Sequence, residues 1–500
     1  MVASPSRKLF AARHPGLCNL PTRILVSFEQ LRSVFFHHHH HHHHHRHHHR
    51  HHHHHHSSLA AMDVSCPPTP LATPPSRAPK NDELRFKTIT SPCEWIEDYH
   101  PGGYHPVHLG DTFRDGRYKV IRKLGNGSYS TVWLARDTTQ GGYVALKIVV
   151  SGFPKSTNEL QILDHVAQAA PAQAAQYITR LLDSFEHQGP NGLHTCLVFE
   201  PMGPTVNTMV QELPQFKPRK FRMKIRYPPE MSRAILKQSL EALAFLHAQG
   251  IAHGDFQPGN MLFSLDDIDS KPEDLLRQEE CVETHSISPP VQRLDGKEDL
   301  WAPRYLCIEQ PLAAFTNYVN EIKIKLSDLG GAYFFTQPPT KPLTPTGLRT
   351  PELVLAGTVN NTNDVWSFGC LVFELMTGRP LFCVPGSESQ VEVDDDHLLQ
   401  LTGILGPLPG NLYEQWETSS LYFTPQRELY NCEVGGAREG EEPLMFEQES
   451  MEELFDQANP DIDEEEASEI KSLIRRILQY DPADRPTPAE ILQDPWFLRA

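Results

Sequence analysis

Hydrophobic and polar positions change rhythm twice along this chain. From Tyr118 the apolar residues Tyr118, Val120 and Leu124 are interleaved with Lys119, Arg122 and Lys123 up to a glycine break, the period of a half-buried strand. Residues 132–135 and 144–149 continue as two further strands, 159–168 carries a short helical pattern, and 196–199 is another apolar strand. After Pro229 the period lengthens. Ile235, Leu236, Leu240, Leu243, Leu246 and His247 recur at helical spacing and predict a helix with one buried face. The pattern therefore predicts an α+β chain, a small strand-rich lobe followed by a larger helical lobe.

Ahead of residue 95 no such period exists. Eighteen of the 29 histidines lie in 37–56, broken only by Arg46 and Arg50. One reading is a metal-binding or condensation-prone tract. The other, which is favoured because a flexible tract defines no coordination geometry, is a low-complexity repeat without a fold. The first 36 residues are basic, faintly like a transit peptide, and Met62 is an equally good start site. Residues 66–79 (CPPTPLATPPSRAP) read as a Pro-rich linker. The expected organisation is thus a disordered leader over 1–94, a strand-rich lobe over 95–204 and a helical lobe over 205–500.

Charge sharpens this layout. The net charge of −18 comes from 45 Lys and Arg against 63 Asp and Glu, which disfavours non-specific nucleic-acid binding. Residues 1–61 hold seven basic residues against the single Glu29, whereas 428–469 hold sixteen carboxylates against Arg438 alone. No run of about 18 apolar residues exists, so no membrane span is expected. Nine cysteines without a CxxC pair argue against a disulfide framework or zinc ribbon and for a reducing compartment, cytoplasm and/or nucleus.

Four motifs carry chemistry. Gly125-Asn126-Gly127-Ser128-Tyr129-Ser130 lies between two strands, where glycine lets backbone approach phosphates. Taken alone, a plain hairpin turn with glycine at positive φ explains it better. Lys147, in Val144-Ala145-Leu146-Lys147, sits inside an apolar strand and needs an anionic partner, which Glu159 on the next helix can supply. The loop His253-Gly254-Asp255-Phe256-Gln257-Pro258-Gly259-Asn260 places a carboxylate and an amide five residues apart, as an acceptor for a hydroxyl proton and a magnesium ligand. Asp328, in Lys325-Leu326-Ser327-Asp328-Leu329-Gly330, ends a strand before glycine and suits a second contact to Mg²⁺, which prefers hard oxygen donors.

These motifs stand in one order, followed by Arg349-Thr350-Pro351-Glu352, by Asp364-Val365-Trp366-Ser367-Phe368-Gly369 and by Asp481-Pro482-Ala483-Asp484-Arg485, where Arg485 is expected to pair with Glu352. In that order the chain resembles a eukaryotic protein kinase. The narrower resemblance, to the serine/threonine kinases of the SR-protein kinase family, rests on Tyr99-His100-Pro101-Gly102-Gly103-Tyr104-His105-Pro106-Val107, Ser130-Thr131-Val132-Trp133-Leu134, the Asp328-Leu329-Gly330 form of the metal motif, and Asp394-Asp395-Asp396-His397-Leu398-Leu399. The chain reads as a divergent, fungal-like member, with an insert at 264–320 where that family carries a spacer. The resemblance implies a bilobal fold with an antiparallel-sheet N-lobe and a helical C-lobe. It implies ATP held by Leu124, Gly125, Asn126, Gly127, Ser128, Val132, Ala145, Lys147, Glu159, Glu200 and Met202, and Mg²⁺ held by Asn260 and Asp328. It further implies Asp255, Lys147 and Gln257 as catalytic residues, and a monomer acting on basic, Arg/Ser-rich, splicing-type protein partners without contacting nucleic acid or membrane.

Three departures bear on mechanism. Gln257 stands where the family carries lysine, a change worth ~2–4 kcal/mol if the donor to the transition state were lost outright. Gly254 replaces the arginine before the catalytic aspartate, which removes a docking charge for an activation-segment phosphate. Thr350-Pro351-Glu352 is the ordinary kinase ending. Two alternatives follow, a pseudokinase scaffold that binds ATP, and a small-molecule phosphotransferase, whose loops manage without the lysine. For 428–469 an acidic surface attracting basic substrates and a solvated, disordered insert are equally expected.

Overall fold

The computed structural model describes residues 84–152, 159–169, 176–218, 223–318, 322–437 and 440–499. The leader, with its histidine tract and Pro-rich stretch, lies outside the described residues. From Phe86 on, the described residues form one compact unit.

The N-lobe is a six-stranded antiparallel sheet in the order β1-β2-β3-β4-β6-β5. The strands are β1 Thr112–Phe113, β2 Tyr118–Gly127, β3 Ser130–Asp137, β4 Tyr143–Val149, β5 Leu181–Gly189 and β6 Gly192–Phe199. Alternation in β3 explains the two-sided core. Trp133 and Ala135 pack with Val120, Leu146 and Val198 on one face, while Leu134 packs with Ile121 and Tyr143 on the other. The strand β5 escaped the sequence pattern because it lies at the sheet edge and is mostly half-exposed, so its residues lack clean alternation. Helix α1, Glu159–Ala169, packs beside this sheet.

The C-lobe is built around α3, Pro229–Ala248, which follows the short α2, Val206–Glu212. The apolar stripe of α3, Ile235, Leu236, Leu240, Leu243 and Leu246, is fully buried. Against it lies α5, Thr362–Thr377, which is apolar almost all round and is buried accordingly. The remaining longer helices are α4 Pro351–Ala356, α6 Gln390–Leu405, α7 Met451–Ala458 and α8 Glu464–Ile477. Between the lobes run the paired short strands β7 Ile251–Ala252 with β10 Tyr333–Phe334, and β8 Met261–Phe263 with β9 Ile324–Leu326.

The insert is no tether. Ile287, Tyr305 and Cys307 join the core on one face of the N-lobe sheet, and Ile268, Leu276 and Leu312 join the other. The seven cysteines among the described residues are all free thiols, and no described helix is long and apolar enough to cross a membrane.

The described part of 428–469 includes ordered helices, which weighs against the disordered one of the two readings of that stretch. Helix α7 begins in a capping box between Ser450 and Glu453, Glu452 pairs with Arg475 at 2.5 Å, and Asp456 pairs with Lys471 at 2.7 Å. Much of the acidic excess is therefore spent on helix starts and ion pairs, while Glu441, Glu442, Glu447 and Glu449 stay exposed.

Candidate functional site

On the N-lobe side Lys147 pairs in register with Val132, and Ala145 with Leu134. Its ammonium donates to Glu159 Oε1 at 2.8 Å and to Asp328 Oδ1 at 2.8 Å, so one cation joins sheet, helix and the far side of the cleft. Burial by itself would lower the Lys147 ammonium, but the Asp328 and Glu159 carboxylates outweigh it and hold it above the ordinary lysine range. Lys147 in turn keeps Asp328 below the usual carboxylate range. Asp328 turns the chain out of β9 with a left-handed φ of 57°, and its carboxylate accepts from the Gly330 N–H.

Beyond β7 the loop bearing Asp255 is held from beneath. Asp364, buried at the start of α5, accepts from the backbone N–H of His253 at 2.8 Å and of Gly254 at 2.9 Å. His253 donates through Nε2 to the Ser327 carbonyl at 3.1 Å and accepts through Nδ1 from the Asp255 N–H at 3.3 Å, which ties this loop to the one bearing Asp328. Asp255 is held by both neighbours singled out in the sequence: Gln257 Nε2 donates to Oδ1 at 2.6 Å and Asn260 Nδ2 to Oδ2 at 2.8 Å. Asn260 also accepts through its carbonyl from Ser327 N–H and Oγ, at 2.8 and 2.9 Å. Burial, and then the nearby Asp328, push the Asp255 carboxyl up to about 6.

The glycine loop is a tight hairpin, but not one that uses its glycines for positive φ. Pairing of β2 with β3 runs to Gly127 opposite Ser130, and neither Gly125 nor Gly127 has a positive φ. A Cβ on Gly127 would meet no atom within 4 Å and one on Gly125 only the end of the Glu309 side chain at 3.8 Å, so the packing of the chain itself leaves the space beside both glycines open. Asn126 is half-buried, Ser128 is exposed, and Leu124 packs against the lower face of the sheet. At the link to the C-lobe Met202 is buried, and the carboxylate of Glu200 is committed to Lys325 at 2.6 Å and to the Arg180 N–H at 2.8 Å. Both contacts fall on Oε1, and the Glu200 N–H donates to the Arg180 carbonyl at 3.2 Å, which narrows the expectation placed on that residue.

Gly254 is a steric necessity. Its φ is +76°, and any Cβ there would run into the Gly331 carbonyl. The 3-10 turn that follows Asp328 passes so closely that an arginine cannot stand at this position. The segment after it is fixed by other means: Thr344 Oγ1 donates to the Gly254 carbonyl at 3.0 Å and Arg349 Nε to the Thr344 carbonyl at 3.1 Å. Glu352, at the start of α4, meets Arg485 in a buried fork of 2.7 and 2.8 Å, with the guanidinium over the Trp366 ring at 4.9 Å.

The three aspartates of α6 separate by role. Asp395 is buried and accepts from Trp416 Nε1 at 2.7 Å, from Tyr422 at 2.7 Å and from Thr418, so it is a structural acceptor and not part of an acidic surface. Asp396 bonds to Gln400, while Asp394 is half-exposed beside Arg349. Sequence reasoning treated Asp364 only as a fold marker and gave His253 no role of its own. A carboxylate opening an otherwise apolar buried helix was the available signal for Asp364, because such a charge must be satisfied.

Comparison with known proteins agrees with this geometry. The protein kinase domain family matches residues 118–288 and 315–497. Serine/threonine-protein kinase SRPK of Physarum polycephalum is 31% identical over 417 residues, covering 81% of this chain and 91% of that protein. SRSF protein kinase 3 of Sus scrofa is 24% identical over 570 residues, covering 87% of this chain and 96% of that protein. A solved kinase-domain crystal structure, 22% identical, superposes with a TM-score of 0.52 over 79% of this chain and 98% of its own, a likeness of fold. With the Glu352–Arg485 fork and the buried helix Thr362–Thr377 in place, the small-molecule phosphotransferase alternative falls away. A cleft that joins Lys147, Glu159 and Asp328 across two lobes, over a loop carrying Asp255 and Asn260, is thus that of a serine/threonine protein kinase, and the chain belongs to the SR-protein kinase family.

Proposed function

We propose that this chain transfers the terminal phosphoryl group of ATP to serine or threonine hydroxyls in basic, Arg/Ser-rich protein segments. The observation that carries the reading is the pair of constellations meeting across the cleft. Lys147 is fixed between two carboxylates, and both oxygens of Asp255 are fixed by amides. Phosphoryl transfer demands positioning and charge stabilisation more than covalent chemistry, and both constellations are pre-set.

The donor set fits Mg²⁺ and ATP. Asn260 spends its amide nitrogen on Asp255, so its side-chain carbonyl oxygen and the half-exposed Asp328 carboxylate are the hard donors toward the cleft among the described residues. Magnesium, when bound there, neutralises the charge developing on the phosphate oxygens. Lys147 would meet the α- and β-phosphates, and the space below Gly127 would take the loop's side of the triphosphate. Asp255 orients the attacking hydroxyl and takes its proton. Gln257 keeps that carboxylate in one rotamer, which preserves geometry where the family's lysine adds a cation.

The basic-substrate reading rests on the family, on the name of the SRSF kinase relative and on the exposed carboxylates of the late segment, which would raise encounter rates with Arg-rich chains. Incubation with Mg-ATP and an Arg-Ser peptide should give incorporation on serine that Asp255→Asn abolishes. Absence of labelling on that peptide and on basic protein mixtures would sink the proposal.

A further inference from the structure

The tip of the glycine loop is held from outside the cleft. The Gly127 carbonyl accepts from the hydroxyl of Tyr104 at 2.6 Å, and the Tyr129 carbonyl accepts from the Val150 N–H at 2.9 Å. Gly127 and Ser128 are exposed, whereas Tyr104 is 2% exposed and belongs to the segment that precedes the sheet.

That segment is itself immobilised. Tyr104 N–H donates to the Asp98 carbonyl at 3.2 Å, and Asn191 Nδ2 donates to the Tyr104 carbonyl at 2.5 Å and to the Trp301 carbonyl at 2.8 Å. The carbonyls of Gly102 and Gly103 accept from Gly152 and Ser151, at 2.7 and 3.3 Å. A Cβ on Gly103 would run into the Asp98 carbonyl, so only glycine lets the chain turn there. The Tyr104 ring meets Tyr99 at 5.6 Å, Tyr99 donates to Glu94, and Glu94 pairs with the fully buried Lys123 of β2.

Lys123 is where the insert arrives. Its ammonium also donates to the Cys307 carbonyl at 3.1 Å, its N–H donates to Gln278 Oε1 at 2.8 Å, and its carbonyl accepts from the Gln310 N–H at 3.0 Å. Cys307 and Gln310 fall in the stretch between the two halves matched by the kinase family. The lead-in segment and the insert therefore grip the same strand, two residues before Gly125.

We propose that Tyr104 is a positioning residue for the nucleotide: its hydroxyl holds the glycine-loop tip ready for ATP, and the lead-in and insert together hold Tyr104. An exposed, glycine-rich tip loses much conformational entropy when it closes on phosphates, and a hydrogen bond already made at its carbonyl removes part of that cost from binding. This inference rests on the kinase reading given above.

The test uses the full chain and the variant Tyr104→Phe, which keeps the ring. Hydrogen exchange of the nucleotide-free protein should quicken severalfold at residues 125–130 and stay unchanged in the helix Pro229–Ala248. The KM for ATP should rise roughly three- to tenfold, the effect of losing one ordinary hydrogen bond, with the peptide KM within about twofold. Tyr118→Phe is the control, since it removes an equally short hydroxyl bond, 2.6 Å to Asp183, on the same sheet. Asn191→Ser, which frees the Tyr104 carbonyl, should move loop exchange in the same direction. Loop exchange and ATP affinity unchanged in Tyr104→Phe, or an equal loosening in Tyr118→Phe, would overturn the inference. A wild-type chain that binds no ATP would defeat the kinase reading instead, and loop exchange would still decide whether Tyr104 holds the tip.

Discussion

Gln257 donates its side-chain amide to Oδ1 of Asp255 at 2.6 Å, so the residue that departs most from the family's catalytic loop is bonded to the loop's central carboxylate. The substitution thus keeps a donor and loses a charge. Gln257→Ala removes both donor and restraint and should lower kcat by roughly ten- to a hundredfold, with the KM for ATP nearly unchanged. Gln257→Lys should keep activity at or above wild type. Steady-state kinetics on an Arg-Ser peptide decide it, and an unaffected kcat in Gln257→Ala would show that the amide has no positioning role.

Asp255 makes activity and stability depend on pH in opposite senses. With its carboxyl pushed up to about 6, chiefly by burial, the proton-accepting form is lost as pH falls through that value. The kcat for the peptide should therefore fall on acidification and level off above about pH 7. For stability the folded pKa lies above the unfolded value of about 3.9, so the folded state binds the proton more tightly. Stability contributed by this group is present below about pH 4 and is lost as pH rises through about 6. Asp255→Asn should be inactive yet melt higher than wild type at pH 8, with the difference closing toward pH 4. Parallel melting curves across pH would reveal a contrary slope.

Gly254 tests whether the missing arginine is a matter of chemistry or of space. Gly254→Arg must place a Cβ against the Gly331 carbonyl at a φ of +76°. We expect a loss of at least ~2 kcal/mol in urea unfolding and a large fall in activity, not a gain of phosphate-dependent switching. A stable Gly254→Arg protein with wild-type kinetics would contradict the steric account.

Glu352 and Arg485 anchor the segment after Asp328 through a buried two-bond fork. Arg485→Ala leaves the carboxylate buried and unpaired and should cost about 3–5 kcal/mol, read by chemical denaturation. A change under about 1 kcal/mol would mean that the pair contributes little.

Asp394 and Asp395 are adjacent yet should behave differently. Asp395→Asn disturbs a buried acceptor of the Trp416 and Tyr422 donors and should lower the melting temperature with little change in substrate KM. Asp394→Asn should leave stability near wild type and raise the KM for an Arg-Ser peptide, more at low salt than at high salt. Salt titration of the peptide KM in both variants separates the two.

The strand Tyr118–Gly127 and the helix Pro229–Ala248 were legible in the sequence because uneven burial prints its period on the residues, and Ser130–Asp137 and Tyr143–Val149 because burial on both faces leaves short apolar runs. The pairing of Lys147 with Glu159 and of Glu352 with Arg485 was legible for a related reason: a buried charge demands a neighbour, and few residue types at few spacings supply one. Other features were settled only by tertiary structure. Whether glycine serves φ or space, whether Asp395 is surface or core, and that Lys123 anchors both the lead-in and the insert all depend on approaches between residues distant in sequence. The contact of Gly254 with Gly331 and the bond from Tyr104 to Gly127 are of the same kind. Periodicity reports which face of an element is buried. It carries no record of what lies against that face, and in this protein the loop bearing Asp255 and the glycine loop are each shaped by such a neighbour.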